Sequence, residues 1–68
     1  MNSPAGQRER AERELLEGSG ICSNGRFEFY AKRPIIQVRE LATGFLVAYS
    51  ETNADYEDAV SEFIRDYY

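Results

Sequence analysis

The chain has no histidine, no tryptophan and a single cysteine, Cys22, among its 68 residues. Histidine is the usual general base beside a catalytic nucleophile, and zinc sites need sets of Cys or His ligands. The lone thiol cannot form an intramolecular disulfide. It suits either a buried, unreactive position or a thiol activated by the nearby Arg26. We therefore expect no enzyme activity, no metal and no cofactor, and we predict a protein that acts by binding.

Long apolar runs are also missing. The longest one, Phe45–Tyr49, covers five residues, whereas a membrane-spanning helix needs about 20. The first residues, Met1–Pro4, lack the apolar core of a signal peptide. These absences predict a cytoplasmic protein that does not bind membranes.

Basic side chains are the minority, with 8 Lys and Arg against 12 Asp and Glu, and the net charge is −4. Nucleic-acid binding is driven largely by Lys and Arg that neutralise phosphates, so the excess of acid disfavours direct contact with DNA or RNA. It also disfavours an anionic membrane surface. The balance suits a basic partner protein.

The length and the order of patterns predict one small α+β domain over residues 1–68. We expect an N-terminal helix, an antiparallel three- or four-stranded meander over residues 21–49, and a C-terminal amphipathic helix over residues 53–68 that packs on the sheet. A core of this size leaves little room for a deep catalytic pocket.

Residues 1–17 are charged and nearly free of large apolar groups. Ser3 and Pro4 suit the N-cap and the first turn of a helix, and Gly18 suits its end. A disordered leader is the competing interpretation, because the composition is strongly polar. Only three side chains of the segment can dock on a core: Ala11, Leu15 and Leu16.

The middle of the chain carries strand signals. Arg26–Lys32 alternates between apolar and polar residues, which is typical of a half-buried strand. The preceding Asn24-Gly25 predicts a type I′ turn that closes a hairpin with Ile21-Cys22. Ile35–Leu41 is the next strand, and Phe45–Tyr49 is apolar on both faces, which favours a strand that is central or covered on both sides. The predicted sheet core is Phe27, Phe29, Ile36, Val38 and one face of the last strand.

Residues 53–68 show the clearest pattern in the sequence. Apolar side chains recur there at the three- and four-residue spacing of one helix face. Thr52 or Asn53 suits the N-cap, and Asp55 lies near the positive end of the helix dipole. The apolar stripe consists of Tyr56, Ala59, Val60, Phe63, Ile64 and Tyr67.

The opposite face of this helix is acidic. Helical spacing places Asp55, Asp58, Glu62 and Asp66 within about 80° of one another over roughly 16 Å, a charge density similar to that of one DNA strand. Arg65 is the single base of the segment. The row is either an ordinary solvated face or a binding surface for a basic partner.

The outer sheet face offers two other functions. An aromatic residue among bases on a sheet can stack on single-stranded RNA. Alternatively, the outer face and the two-sided apolar strand Phe45–Tyr49 form the interface of a small interaction module or a homodimer. The residues predicted to share this face are Arg26, Tyr30, Lys32, Gln37 and Arg39.

An acidic helix that follows three strands makes the chain resemble the small acidic anti-CRISPR and anti-restriction proteins of bacterial viruses. The resemblance lies in the layout of most of the chain. It implies a non-enzymatic inhibitor, in the cytoplasm of a bacterial host, that mimics DNA and blocks the DNA-binding surface of a larger bacterial protein. That partner would be a restriction enzyme or a CRISPR surveillance complex, and in the complex the blocked site would be the one that reads the PAM. The contacts that the resemblance implies are Asp55, Asp58, Glu62 and Asp66, with Glu51 and Glu57 at the margin. The basic middle of this chain departs from the most acidic mimics and suits a smaller, one-sided contact.

Overall fold

A computed structural model describes residues 4–68 and shows two helices and four strands. The order of the elements along the chain is helix, four strands, helix. Their bounds are α1 Pro4–Glu17, β1 Ile21–Ser23, β2 Phe27–Lys32, β3 Ile35–Glu40, β4 Leu46–Glu51 and α2 Tyr56–Tyr67.

The strands form one antiparallel meander in the order β1-β2-β3-β4. Both helices pack on the same face of this sheet, with α1 over β1 and β2 and α2 over β3 and β4. The helices also contact each other. This architecture confirms the predicted α+β class and leaves the other sheet face, here called the open face, without a covering layer in residues 4–68.

The core lies between the helices and the sheet. Phe29, Ile36 and Val38 of the sheet are completely buried, as is Val60 of α2. The alternation in β2 and β3 is therefore confirmed, because every second side chain of these strands faces the helices. The other buried residues are Ala11, Leu15, Ala31, Tyr56 and Ile64.

The first segment is a helix, so the disordered-leader interpretation is wrong from Pro4 onward. Ala11 and Leu15 anchor α1 on the core, and Leu16 is half-buried. Beyond the helix end, the Glu14 carboxylate accepts a hydrogen bond from the Ser19 backbone N–H. The predicted cap at Ser3 lies outside the described residues.

Asn24-Gly25 closes the β1–β2 hairpin as predicted, but the type I′ turn is wrong. That turn needs positive φ at both central residues, and only Gly25 has it, at 88°. Asn24 instead uses its side chain. Its Oδ1 accepts hydrogen bonds from the N–H groups of Arg26 and Phe27 at 2.9 and 2.8 Å, which replaces the backbone turn by an Asx-type turn.

The last strand is not central, and the prediction for Phe45–Tyr49 is wrong. The strand covers Leu46–Glu51 and lies at the edge of the sheet. Phe45 precedes it and is 70% exposed, while Leu46 and Tyr49 are 45% and 49% exposed. Only Ala48 of the apolar run packs against the core. A sequence that is apolar on both faces fits an uncovered edge as well as a buried centre.

The C-terminal helix begins later than predicted, at Tyr56. Asp55 is its N-cap residue and makes no side-chain cap hydrogen bond. Thr52 takes part without being the cap, because its hydroxyl oxygen accepts a hydrogen bond from the Asp55 N–H at 3.3 Å. The predicted apolar stripe is confirmed, with Val60 and Ile64 buried.

Candidate functional site

The orientation of α2 decides where its acidic residues point. Val60 is completely buried and faces the sheet. Ser61 follows about 100° around the helix and donates a hydrogen bond to the Glu12 carboxylate of α1. The side of α2 that carries Ser61 therefore faces α1, and the opposite side lies over the β4 edge.

Helical geometry places the predicted acidic row away from α1. Relative to Val60, Asp66 lies about 120° and Glu62 about 160° around the helix in the direction opposite to Ser61. Asp58 points outward. All three are exposed, as is Asp55 in the turn before the helix. The four predicted residues thus share one accessible surface, here called the acidic face, between the outer side of α2 and its β4 flank.

Arg65 reduces the charge of the acidic face. Its guanidinium lies 3.9 Å from the Glu62 carboxylate and 3.6 Å from that of Asp66. The four carboxylates and this base sum to −4 + 1 = −3. Because both ion pairs are exposed, each is worth about 0–1 kcal/mol, so a basic group on a partner can replace Arg65.

The two marginal residues do not join the acidic face. Glu57 lies on the α1 side of the helix, with its carboxylate 4.0 Å from the Arg33 guanidinium. Glu51 pairs with Ile35 at the end of β4, on the open face, and accepts a hydrogen bond from the Tyr49 hydroxyl at 3.0 Å. That hydrogen bond raises the pKa of Tyr49. Glu51 and Glu57 therefore lie outside the acidic face.

The open face carries a band of exposed apolar and aromatic groups. Tyr30 and Tyr49 flank Gln37 across three strands, and Leu46 lies opposite Arg39 on the same face. Contiguous apolar surface that is not covered within a small domain is typical of interaction sites. The cross-strand row that spans the sheet is Ile21, Tyr30, Gln37 and Tyr49.

The charges of the open face do not favour RNA. The strand register places two acids, Glu28 and Glu51, and two bases, Lys32 and Arg39, on it. These four strand charges cancel, and Arg26, which was also predicted on this face, precedes β2 with its guanidinium 5.4 Å from the ring centre of Phe27. RNA-binding sheets combine aromatic residues with net positive charge. The open face holds two tyrosines, Tyr30 and Tyr49, whereas the sequence predicted only Tyr30 there.

The outer edge of β4 is unpaired within residues 4–68, because no strand follows it in the sheet. The Thr52 N–H donates to the Pro34 carbonyl across the β3–β4 ladder at 2.8 Å. Since hydrogen-bonded and non-bonded positions alternate along an antiparallel pair, Ala48 and Ser50 also direct their backbone groups toward β3. Tyr49 and Glu51 direct theirs outward, to the free edge.

Cys22 carries no reactive site. Its side chain is half-buried, with Sγ 3.9 Å from the Ala11 carbonyl. Burial, with a smaller contribution from the Glu14 charge, raises the pKa of the thiol to about 11, so the nucleophilic thiolate is scarce at neutral pH. The structure therefore favours Cys22 as a buried, unreactive residue over Cys22 as a thiol activated by Arg26.

A shallow cleft of about 730 Å³ opens between the C-terminal end of α1 and the start of α2. Arg33 lies in it with its guanidinium 4.7 Å from the ring centre of Tyr56, and donates a hydrogen bond to the Asn53 carbonyl at 2.9 Å. These contacts fasten the β2–β3 turn to the start of α2. Across residues 4–68, no group of three or more Cys, Asp or Glu side chains is arranged to hold a metal ion.

Within the described part of the chain, neither helix combines the length and apolar character needed to cross a membrane. Comparison with protein families, curated proteins and solved structures found no match to this chain.

Proposed function

We propose that this chain is a non-enzymatic binding protein whose acidic face binds a basic surface of a larger bacterial protein. Such binding would block nucleic acid from that surface, as in the anti-CRISPR and anti-restriction inhibitors that the layout resembles. The observation that carries the proposal is the placement of Asp55, Asp58, Glu62 and Asp66 on one accessible side of α2, with one base beside them.

The fold supports this proposal by holding the carboxylates on a rigid support. Val60 and Ile64 fix α2 on the sheet, and the Arg33 contacts hold its first turn. A pre-ordered row of charges loses little conformational freedom when a partner binds. Like charges at i,i+4, such as Asp58 with Glu62, each cost the isolated helix a few tenths of a kcal/mol, and a basic partner would offset that cost.

Capture from bacterial lysate tests the proposal. The tagged protein is run beside an Asp58→Lys/Glu62→Lys variant, bound proteins are eluted with stepped salt, and each eluate is identified by mass spectrometry. We expect a nucleic-acid-binding protein, such as a CRISPR surveillance complex, that elutes as salt rises, because exposed charge contacts are screened. The charge-reversed variant should not capture it.

The matched control reverses the same number of charges elsewhere. Glu9 and Glu17 are exposed on α1, so a Glu9→Lys/Glu17→Lys variant changes the net charge equally and leaves the acidic face intact. It should retain the partner. Equal loss of the partner in both variants would show a net-charge effect, and retention in both would exclude the acidic face.

A second candidate function is a protein-interaction module that binds through the open face. It is favoured by the exposure of Ile21, Tyr30 and Tyr49 in one cross-strand row, with exposed fractions of 50%, 37% and 49%. An Ile21→Ser/Tyr30→Ser variant, which changes the open face away from the β4 edge, separates the two functions. It would lose its partner under this candidate and keep it if the acidic face is the contact surface.

A further inference from the structure

We propose that the partner adds a strand to the free edge of β4, and that this strand carries Lys or Arg at every second position with apolar residues between. The inference rests on the proposed function and specifies how the basic partner is held. It joins two features that lie on the same side of the molecule, the unpaired β4 edge and the acidic flank of α2.

The β4 edge is open to strand addition. β4 is six residues long, and the edge at the other end of the sheet, β1, has only three. Natural edges are protected by shortness, charges, proline or bulges. β4 has one charged residue, Glu51 at its end, and a bulge opposite Val38 and Arg39 at its start. The outward backbone groups of Tyr49 lie between these two features and can bond a new strand.

The side chains of an added strand would alternate between two environments. On the open face they would lie beside Tyr49 and Leu46, both exposed by almost half. Apolar or aromatic residues of the partner suit these neighbours, because cross-strand aromatic pairs stabilise a sheet. This face therefore selects apolar residues at alternate positions.

On the helix side, the added strand would lie beneath the α2 flank that faces away from α1. Ala59 and Phe63 line the lower part of this flank and are half-buried. Glu62 and Asp66 stand above them. A Lys or Arg side chain would place its aliphatic stem against Phe63 and carry its charge up to the carboxylates. Charge complementarity thus selects basic residues at the other alternate positions.

A second copy of this chain is a poorer occupant. Antiparallel pairing of two β4 edges keeps both helix layers on the same side of the joined sheet, so the two α2 flanks would meet across the symmetry axis. Asp66 and Glu62 of one copy would then face the same carboxylates of the other. Each chain also carries a net charge of −4, which opposes self-association.

The test uses a fluorescent peptide of alternating lysine and valine, long enough to pair with all of β4, and measures its binding to the full chain by anisotropy. A second peptide alternates glutamate and valine. A third has the lysine–valine sequence with its backbone N-methylated at every second residue, which removes strand hydrogen bonds. We expect the first peptide to bind, the other two to bind at least about tenfold more weakly, and bound peptide to shift the Tyr49 amide signal in NMR spectra.

Two substitutions at one position separate backbone from side-chain effects. Tyr49→Pro removes an outward N–H without touching the β3 ladder, and Tyr49→Ala removes the same ring but keeps that N–H. We expect the proline variant to bind the lysine–valine peptide about tenfold more weakly than the alanine variant. Circular dichroism checks that each is folded, and the N-methylated peptide tests the same hydrogen bonds on the unchanged protein.

Four results would overturn the inference. They are failure of the lysine–valine peptide to bind, equal binding of its N-methylated form, equal binding of the glutamate–valine peptide, and a dimer that sedimentation detects without peptide and that Tyr49→Pro abolishes. Failure here is distinguishable from failure of the proposed function. If Tyr49→Pro still captures the lysate partner while Asp58→Lys/Glu62→Lys loses it, strand addition is wrong and the acidic face remains the binding surface.

Discussion

Asn24 joins two distant parts of the fold, and replacing it gives a sharp test of how the structure holds together. Its Oδ1 accepts hydrogen bonds from two N–H groups of the β1–β2 turn. Its Nδ2 donates to the backbone oxygens of Tyr67 and Tyr68 at 3.1 and 3.0 Å, at the end of α2. One side chain therefore fixes the hairpin and satisfies helix carbonyls that have no partner within the helix.

The expected cost of Asn24→Ala follows from these four contacts. A net contribution of about 0.5–1.5 kcal/mol for each hydrogen bond, with the exposed contact to Arg26 left out, gives a loss of about 1.5–4.5 kcal/mol, or roughly 3 kcal/mol in the middle of that range. In a domain of this size about 1 kcal/mol moves the melting temperature by roughly 4–8 °C. Thermal unfolding followed by circular dichroism should therefore show a fall on the order of 10–20 °C.

Asn24→Asp isolates the contact with α2. The aspartate keeps both acceptor bonds in the turn but sets a carboxylate against the Tyr67 and Tyr68 oxygens, at the negative end of the helix dipole. We expect it to destabilise the protein at neutral pH and to recover stability as acidification protonates the new carboxyl, which can then donate. Ser23→Ala, which removes one exposed contact to the Gly25 N–H, is the control and should change little. Wild-type stability of Asn24→Asp at pH 7 would refute the reasoning.

Three further outcomes can be checked by simple assays. Hydrogen bonds from Ser19 lower the pKa of Glu14 below its ordinary value of 4.5. The Glu14→Gln variant should therefore be less stable than wild type above pH 4.5, and the difference in stability should vanish as the pH falls through the lowered pKa of Glu14. A difference in stability that does not change with pH would contradict this. Labelling of Cys22 by a thiol reagent should be slower in the native than in the unfolded protein, because burial raises the pKa of the thiol to about 11 and lowers its thiolate fraction; equal rates would show that the thiol is not held in the core. Ile64→Ala removes most of a side chain that is 1% exposed. Chemical denaturation should show that it lowers the free energy of unfolding by about 2–5 kcal/mol, which is enough to unfold much of a domain this small. A decrease below about 1 kcal/mol would place Ile64 outside the core.

The sequence predicted the elements well where periodicity is strong. The alternation in β2 and the helical spacing in α2 both follow from burial on one face, and the structure confirms them. Turn chemistry was harder to predict. Asn24-Gly25 fits a type I′ turn by composition, but the Asn24 side chain finds partners in α2, more than forty residues away, and no local pattern encodes that contact.

The position of β4 could not be predicted from composition alone. A run that is apolar on both faces fits a buried central strand, and it fits equally an edge strand whose apolar side chains are exposed. Strand order decides between them, and the short β3–β4 connection is compatible with a simple meander in which the last strand ends the sheet. Asp58, Glu62 and Asp66 are exposed on α2, as the helical spacing predicted. These residues lie near the β4 edge because that edge is on the side of α2 that faces away from α1. The sequence does not predict where α1 packs, and the hydrogen bond from Ser61 to Glu12 shows its side of α2.

The most direct test of the acidic face is competition with DNA on the captured partner. A labelled DNA duplex is bound to that protein, and this chain is added in increasing amounts while the bound DNA is measured by fluorescence anisotropy. We predict that the wild-type chain displaces the DNA, that Glu9→Lys/Glu17→Lys does so equally, and that Asp58→Lys/Glu62→Lys does not. Simultaneous binding of the DNA and this chain, or displacement by the Asp58→Lys/Glu62→Lys variant as strong as that by wild type, would contradict it.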